Sequence, residues 1–117
     1  MVNGHNILKT MVLTSLLMAF CSGAMAMDGN ELYKLGQSYK DKDASAFEAG
    51  RYIGYIHGIA DVFSNDVFCV PENTRNGQIY DIVYLYLQNN PKDRTKGAAV
   101  LTLDSLTEAY PCKRKGN

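Results

Sequence analysis

Few residues in this chain are of a type that carries out catalysis, and they stand far apart. Beyond residue 26, His57 is the only histidine, and Cys69 and Cys112 are the only cysteines. A Cys–His hydrolase would have to pair His57 with Cys69, because it needs a thiolate beside an oriented imidazole. One histidine and two thiols do not make a convincing zinc site. The remaining candidates are single acids whose spacing suggests neither a calcium loop nor a glycosidase carboxylate pair: Asp61, Asp81, Asp104 and Glu108.

The composition excludes further classes of function. The 117 residues are 46% hydrophobic, which is enough for one packed domain and leaves no room for a second. Twelve basic and twelve acidic residues cancel, so the chain lacks the positive charge that nucleic-acid binding requires. The sequence contains no glycine-rich phosphate loop between a strand and a helix. We therefore expect a binding protein with no metal ion and no cofactor, rather than an enzyme.

The first 26 residues are predicted to be a secretory signal peptide. Lys9 precedes an apolar run over 11–21, which is too short to span a membrane comfortably. Ala24-Met25-Ala26 then supplies the small-x-small pattern that signal peptidase recognises. We therefore expect cleavage after Ala26 and a periplasmic location.

Cleavage would leave one folded domain over 27–112 and a basic disordered tail over 113–117, with no stable membrane insertion. A lipoprotein acylated at Cys21 and a retained anchor are the alternatives. Phe20 argues against the lipoprotein, because it stands where a lipobox has Gly, Ala or Ser.

Two cysteines remain after cleavage. In an oxidising compartment they most simply form one disulfide, between Cys69 and Cys112. That bond would close a loop of about 44 residues and stabilise the domain by roughly 4 kcal/mol in the chain-entropy model. It would also consume the thiol that a hydrolase would use. Two free thiols are the alternative.

The mature chain is predicted to be all-α, with four short helices. Asn30 is a candidate N-cap for a first helix over about 31–41. Asp43 or Ser45 opens the second helix, which runs to about Phe63.

Thr74 is a candidate N-cap for a third helix that ends near Gln88. The fourth helix begins near Asp93 or Thr95 and ends before Pro111. The third helix carries Tyr80 and Tyr84 off its main apolar stripe, so it is either central in the fold or presents a second face to a partner.

Three glycines recur every fourth residue along one face of the second helix: Gly50, Gly54 and Gly58. Together they cost the helix roughly 2–3 kcal/mol in propensity relative to Ala. Close approach of another helix backbone would compensate, as small-residue ridges allow. A membrane helix is a poor explanation, because Arg51, His57 and Asp61 lie in the same segment.

Three segments of the chain resemble one known family, the periplasmic Tai-type immunity proteins. This family neutralises cell-wall amidase toxins delivered by type VI secretion. The first segment is Gly54-Tyr55-Ile56-His57-Gly58-Ile59-Ala60-Asp61. The second is Cys69-Val70-Pro71, with Thr74, Gln78-Ile79, Tyr86-Leu87 and Pro91. The third is Leu106, Ala109 and Tyr110-Pro111-Cys112.

The chain also departs from the family pattern. Relatives often carry two further cysteines that join the first helix to the second. The matching positions here look like Gly36 and Tyr52, so only the second bridge would survive. The departure therefore puts in doubt how the first helix is anchored.

The resemblance implies an all-helical homodimer that binds a papain-like amidase of the NlpC/P60 type and blocks its active-site groove, in a two-plus-two complex. The spare Tyr80/Tyr84 face would offer aromatic surface to the second copy or the toxin. A polar segment between the third and fourth helices would enter the groove: Gln88, Asn89, Asn90, Lys92, Asp93 and Arg94. A second candidate segment is tethered by Cys69 and contributes Asn65, Asp66, Glu72 and Arg75. Solvated helix connections are the alternative for both segments.

Two other functions remain open. A periplasmic acid-stress chaperone of small helical disulfide type would release a client-binding surface at low pH. A hydrolase using His57 would lose its activity when that residue is replaced by Ala.

Overall fold

The computed structural model describes residues 3–9, 11 and 25–114. The core of the expected signal peptide, including Cys21, and residues 115–117 of the expected tail lie outside the described residues. No helix of the described segments is long and apolar enough to cross a bilayer. Signal cleavage and the domain boundaries that depend on it stay predictions.

Residues 25–114 form four α-helices and one short 3₁₀ helix. In chain order the α-helices are α1 (Gly29–Lys40), α2 (Ala46–Phe63), α3 (Asn76–Asn89) and α4 (Ala98–Ala109). The 3₁₀ helix, Pro91–Thr95, lies between α3 and α4. The described part of the chain has isolated bridges but no β-strand, so the all-α prediction is confirmed.

Polar side chains set two of the helix starts. Asp28, and not Asn30, caps α1, because its Oδ1 accepts a hydrogen bond of 2.9 Å from the Glu31 backbone N–H. Ser45 caps α2, as one of the two alternatives predicted. In both helices the cap satisfies a backbone donor that has no intrahelical partner.

The other two helices start later than predicted. α3 begins after Arg75 and not after Thr74, and the Arg75 N–H is satisfied by the side chain of Gln78 at 2.8 Å. α4 begins at Ala98, because Pro91–Thr95 closes into its own 3₁₀ helix before the α-helix starts.

The core lies between the four helices and is closed by the loop before α3. Its fully buried side chains come from every α-helix and from that loop: Leu32, Tyr52, Ile56, Phe68, Val83, Leu87, Leu101 and Leu106. α1 and α2 are the most closely packed pair of helices.

α1 is anchored to α2 by a glycine that lies against an aromatic ring. A Cβ atom at Gly36 would lie 3.0 Å from Cε2 of Tyr52 and 2.8 Å from Cδ2 of Tyr84, so only glycine fits without a shift. Tyr52 is fully buried, stacks on Tyr39, and donates a hydrogen bond of 2.8 Å to the Tyr80 carbonyl. Gly36 and Tyr52, the two positions that the resemblance matches to an additional cysteine pair, are therefore in direct contact.

The disulfide predicted between Cys69 and Cys112 is present. A backbone hydrogen bond of 2.8 Å from the Cys69 N–H to the Tyr110 carbonyl runs beside it. The bond therefore joins the loop before α3 to the end of α4, while α1 is held by packing, hydrogen bonds and ion pairs.

Of the two alternatives predicted for α3, the structure agrees with a helix that is central in the fold, and Tyr80 and Tyr84 do not form an open aromatic face. Tyr80 is only 8% exposed, and its ring meets Tyr39 edge-on. Tyr84 is half-buried and stacks on Tyr33 of α1. Of the off-stripe residues, Leu85 is the one that remains exposed.

The three glycines of α2 face open space. A Cβ atom at Gly50, Gly54 or Gly58 would meet nothing within 4 Å. The same side of α2 leaves Phe47 and Val62 exposed. The close helix packing predicted for these glycines is thus not formed among the described residues.

Candidate partner-binding surface

The polar segment Gln88–Arg94 is folded rather than a free loop. Gln88 and Asn89 are the last residues of α3, and Pro91–Thr95 follows as the 3₁₀ helix. The side chain of Asn90 turns back and donates a hydrogen bond of 2.8 Å to the Tyr86 carbonyl. The segment therefore holds one shape before any partner arrives, which lowers the entropy cost of binding.

Arg94 fastens this segment to the body of the protein. Its Nε donates a hydrogen bond of 2.7 Å to the Leu87 carbonyl, and its Nη2 donates one of 3.2 Å to the Gln88 carbonyl. The guanidinium also lies 3.8 Å from the ring centroid of Tyr33, within cation–π range. The prediction that Arg94 belongs to the outward partner-binding set therefore conflicts with its contacts, since it caps carbonyls left free at the end of α3.

The start of α1 clamps the other side of the segment. The Gly29 N–H donates to the Lys96 carbonyl and the Ala98 N–H donates to the Met27 carbonyl, both at 2.9 Å. A Cβ atom at Gly29 would lie 2.8 Å from the Arg94 carbonyl oxygen. Glycine at this position therefore permits the close approach of the two backbones.

Asp93 forms an ion pair within the segment region, with Lys96. Its carboxylate accepts a hydrogen bond from Lys96 at 2.9 Å, and that bond, followed by the charge attraction, raises the pKa of Lys96. The side chains left for a partner are the exposed ones: Gln88, Asn89 and Lys92.

A shallow groove adjoins this exposed set. It has a volume of about 360 Å³ and lies between α3 and α4. Leu85 and Tyr86 contribute apolar walls, and Asn89 and Glu108 contribute polar edges. Burial, followed by the nearby negative charge of Asp104, raises the pKa of the Tyr86 hydroxyl. The groove makes the end of α3 a continuous surface of mixed polarity, which is typical of a protein interface.

The second predicted segment, between α2 and α3, is held at three points. Asn65 adopts a left-handed conformation with φ 71°, and its N–H donates 2.8 Å to the Phe68 carbonyl. The Phe68 side chain is fully buried, and Cys69 carries the disulfide. Asparagine tolerates this backbone region better than most residues, so the turn costs little strain. The predicted contact residues of this segment stay exposed: Asn65, Asp66, Glu72 and Arg75.

A cavity of about 430 Å³ opens between this segment and the end of α2. His57 lies at its edge, with Nδ1 3.0 Å from the Tyr80 hydroxyl oxygen and Nε2 3.6 Å from Oδ1 of Asp61. The predicted residues Asn65 and Glu72 line the same cavity. Sequence reasoning had left the role of Asp61 open, because nothing local shows that a loop folds back over the end of α2.

The arrangement offers no metal centre and no Cys–His nucleophile among the described residues. No group of three potential metal ligands occurs there. Cys69 is bonded to Cys112, so its sulfur cannot serve as a thiolate beside His57. The surface chemistry available is hydrogen bonding, charge pairing and apolar contact.

Comparison with known proteins agrees with a binding role. The family model of the Rap1a immunity proteins matches residues 28–112, which include all four α-helices and both disulfide cysteines. A search of curated proteins finds no match. The Rap1a proteins are a type VI secretion immunity family, and immunity proteins bind a toxin effector, which is a non-enzymatic role. Since the match covers most of the chain, this protein belongs to the Rap1a immunity protein family.

Proposed function

We propose that this protein acts in the periplasm and blocks the active-site groove of a peptidoglycan amidase toxin of the NlpC/P60 type. Membership of a type VI secretion immunity family supplies the class of partner. The finer assignment to an amidase follows the likeness to Tai-type proteins in the glycine-rich segment of α2 and in the two cysteine segments. The expected signal peptide is consistent with a target that acts on the cell wall.

The observation that carries the proposal is the outward polar segment at the end of α3. Gln88, Asn89 and Lys92 are exposed, while Arg94 and the backbone of Gly29 fix the segment from beneath. A projecting group on a rigid base loses little freedom on entering a cleft. Inhibition is then steric: the segment fills the cleft and excludes peptidoglycan, and this protein supplies no chemistry.

The open glycine face of α2 supports a homodimer within the same proposal. Gly50, Gly54 and Gly58 carry a propensity cost that no contact with residues 25–114 offsets. Exposed Phe47 and Val62 flank them, so a second copy would bury apolar surface while its backbone came close. One toxin bound to each copy would give a two-plus-two complex.

Inhibition of the cognate amidase tests the toxin assignment. The chain from residue 27 is mixed with the amidase, and peptidoglycan digestion is followed together with the mass of the complex. We expect stoichiometric inhibition. Replacement of Gln88, Asn89 and Lys92 by Ala should weaken inhibition by about tenfold or more, because truncating central contacts removes most of the binding energy.

The matched control replaces Asn30, Lys34 and Gln37, three exposed side chains of α1 of the same types, by Ala. It should inhibit like the unmodified protein. Unmodified protein that neither binds nor inhibits the amidase would refute the proposed function. Equal inhibition by both triple variants would refute the segment only.

Sedimentation of the protein alone tests the dimer. Gly54→Leu places a bulky side chain where a second helix would approach, but where the single chain has open space. We expect this variant to be a folded monomer. If the unmodified chain is itself monomeric at high concentration, the dimer is wrong.

A further inference from the structure

We propose that the cavity between α2 and the following loop receives a lysine or arginine side chain of the toxin. The inference rests on the proposed function for the existence of a toxin partner. It assigns a role to His57, Asp61 and Glu72 that inhibition by the α3–α4 segment does not need.

The cavity has the two parts that a long basic side chain requires. Val70, Pro71 and Ile79 give it an apolar wall, against which an aliphatic stem can pack. Asp61 and Glu72 supply carboxylates at the lining for the charged head. A volume of about 430 Å³ accommodates one side chain without displacement of the loop.

The side chains that line the cavity include two acids and no lysine or arginine. Its ionisable lining residues are His57 and Asp61 from α2, Glu72 from the loop and Tyr80 from α3, with no Lys or Arg. Residues 52–74 contain three acids and no lysine or arginine, although the whole chain is balanced. An incoming cation would therefore meet two carboxylates in the lining, while Arg75, between the lining residues Thr74 and Asn76, lies outside the lining itself.

The position of Asp61 in α2 does not stabilise the helix. It lies in the last turn of α2, close to the negative end of the helix dipole, where an acidic side chain is unfavourable. Its side chain is 71% exposed, and its Oδ1 lies 3.6 Å from Nε2 of His57. If the Tyr80 hydroxyl donates to Nδ1, the neutral ring presents its Nε2–H toward Asp61, and the carboxylate keeps its second oxygen for a ligand.

The cavity and the α3–α4 segment lie at opposite ends of α3. Asn76, Ile79 and Tyr80 line the cavity, and Asn89 ends the helix at the other surface. Fourteen residues of α-helix separate the two ends by about 20 Å. The cavity is therefore a second contact site, which can be removed without touching the first.

The test measures affinity for the cognate amidase by calorimetry, with the chain from residue 27 at two salt concentrations. Asp61→Asn with Glu72→Gln removes both charges and keeps the shapes. We expect affinity to fall by roughly three- to tenfold at low salt, as for partly exposed ion pairs. The salt dependence of binding should also become weaker.

The control, Glu31→Gln with Asp43→Asn, changes net charge equally at exposed residues that line neither this cavity nor the α3–α4 groove. It should bind nearly as the unmodified protein does. On the toxin, one lysine or arginine replaced by Ala should cost affinity for the unmodified protein but not for the cavity variant.

Full affinity of the cavity variant, or an equal loss in the control, would overturn the cavity assignment while leaving the toxin function in place. Failure of the unmodified protein to bind any amidase would overturn both. Circular dichroism confirms that the variants fold, and the exposed positions of both acids favour that outcome.

Discussion

The two sides of this protein use glycine for opposite purposes. At the α1–α2 junction, a Cβ atom at Gly36 would lie 2.8 Å from Tyr84 Cδ2 and 3.0 Å from Tyr52 Cε2. On the outer side of α2, a Cβ atom at Gly54 would meet nothing within 4 Å. Both glycines lie inside helices and carry the same propensity cost. At Gly36 contacts with Tyr52 and Tyr84 offset that cost, whereas at Gly54 no residue in the described part of the chain does.

This difference shows which surface the single chain leaves unfinished. At the junction, the rings of Tyr52 and Tyr84 pack against Gly36 of α1. The outer face keeps three helix-weakening residues and two exposed apolar side chains, Phe47 and Val62, without an internal partner. A folded chain that keeps such a face is expected to use it for contact with another molecule.

Removal of the Tyr52 ring from the α1–α2 junction should have the largest effect on stability. Tyr52→Ala deletes a fully buried aromatic side chain and its hydrogen bond to the Tyr80 carbonyl. We expect the free energy of unfolding to fall by about 3–5 kcal/mol, by analogy with buried aromatic truncations. Urea unfolding measures the change. A loss below about 1 kcal/mol would mean that the junction does not hold α1.

Replacing the three glycines of the open face of α2 by alanine should raise the free energy of unfolding. Gly50→Ala, Gly54→Ala and Gly58→Ala together should stabilise the single chain by about 2–3 kcal/mol, because alanine is the better helix former and meets no neighbour. The measurement is urea unfolding at a protein concentration low enough for monomers. If the triple variant is less stable than the unmodified monomer, the face is not open in solution.

A single alanine at the junction provides the matched comparison. Gly36→Ala gains helix propensity but forces Tyr52 or Tyr84 to shift, so we expect a net loss of about 1–2 kcal/mol. Gly54→Ala should gain up to about 1 kcal/mol. The contrast fails if both substitutions change stability in the same direction.

Alkaline pH should weaken the junction by a smaller amount. Burial raises the pKa of Tyr52 above its ordinary value of 10.0, so the folded state keeps a proton that the unfolded state releases. Stability is therefore complete below pH 10 and falls as the pH rises above it. At pH 11 one such group costs about 1.4 kcal/mol.

Tyr52→Phe isolates this contribution, because it keeps the ring and removes the titrating hydroxyl. Its unfolding free energy should fall less steeply between pH 10 and pH 11 than that of the unmodified protein. Tyr39, whose pKa is also raised chiefly by burial, continues to titrate in the variant. Identical slopes for the two proteins would show that the Tyr52 hydroxyl is not buried as described.

Several features of this fold could be predicted from residues that lie close together in the sequence. Ser45 had the side chain of an N-cap, and Pro91 and Pro111 set limits on α3 and α4. The pairing of Cys69 with Cys112 followed from their number and the expected compartment. The family resemblance also arose from short segments, and the Rap1a match over 28–112 agrees with it at the level of an immunity protein.

The candidate surface could be predicted only in part, because the solvent exposure of a side chain depends on residues far away in the sequence. Arg94 looks like a free charge in the sequence, yet the fold places it on Tyr33 and on the last carbonyls of α3. Tyr80 looks like spare aromatic surface, yet α1 and α2 cover it. Nothing within a few residues of either side chain reports those distant neighbours.

The sequence by itself determined the four helices, their C-terminal ends and the disulfide, because prolines, apolar spacing and cysteine count act over a few residues or are a simple count. The class of binding protein followed from the family resemblance. Only the tertiary structure decided which glycine is enclosed and which is open, and which polar side chains remain for a partner. Those outcomes depend on how helix faces far apart in the chain pack together. Gly36 and Gly54 are the same residue in the same kind of helix, and only their neighbours distinguish them.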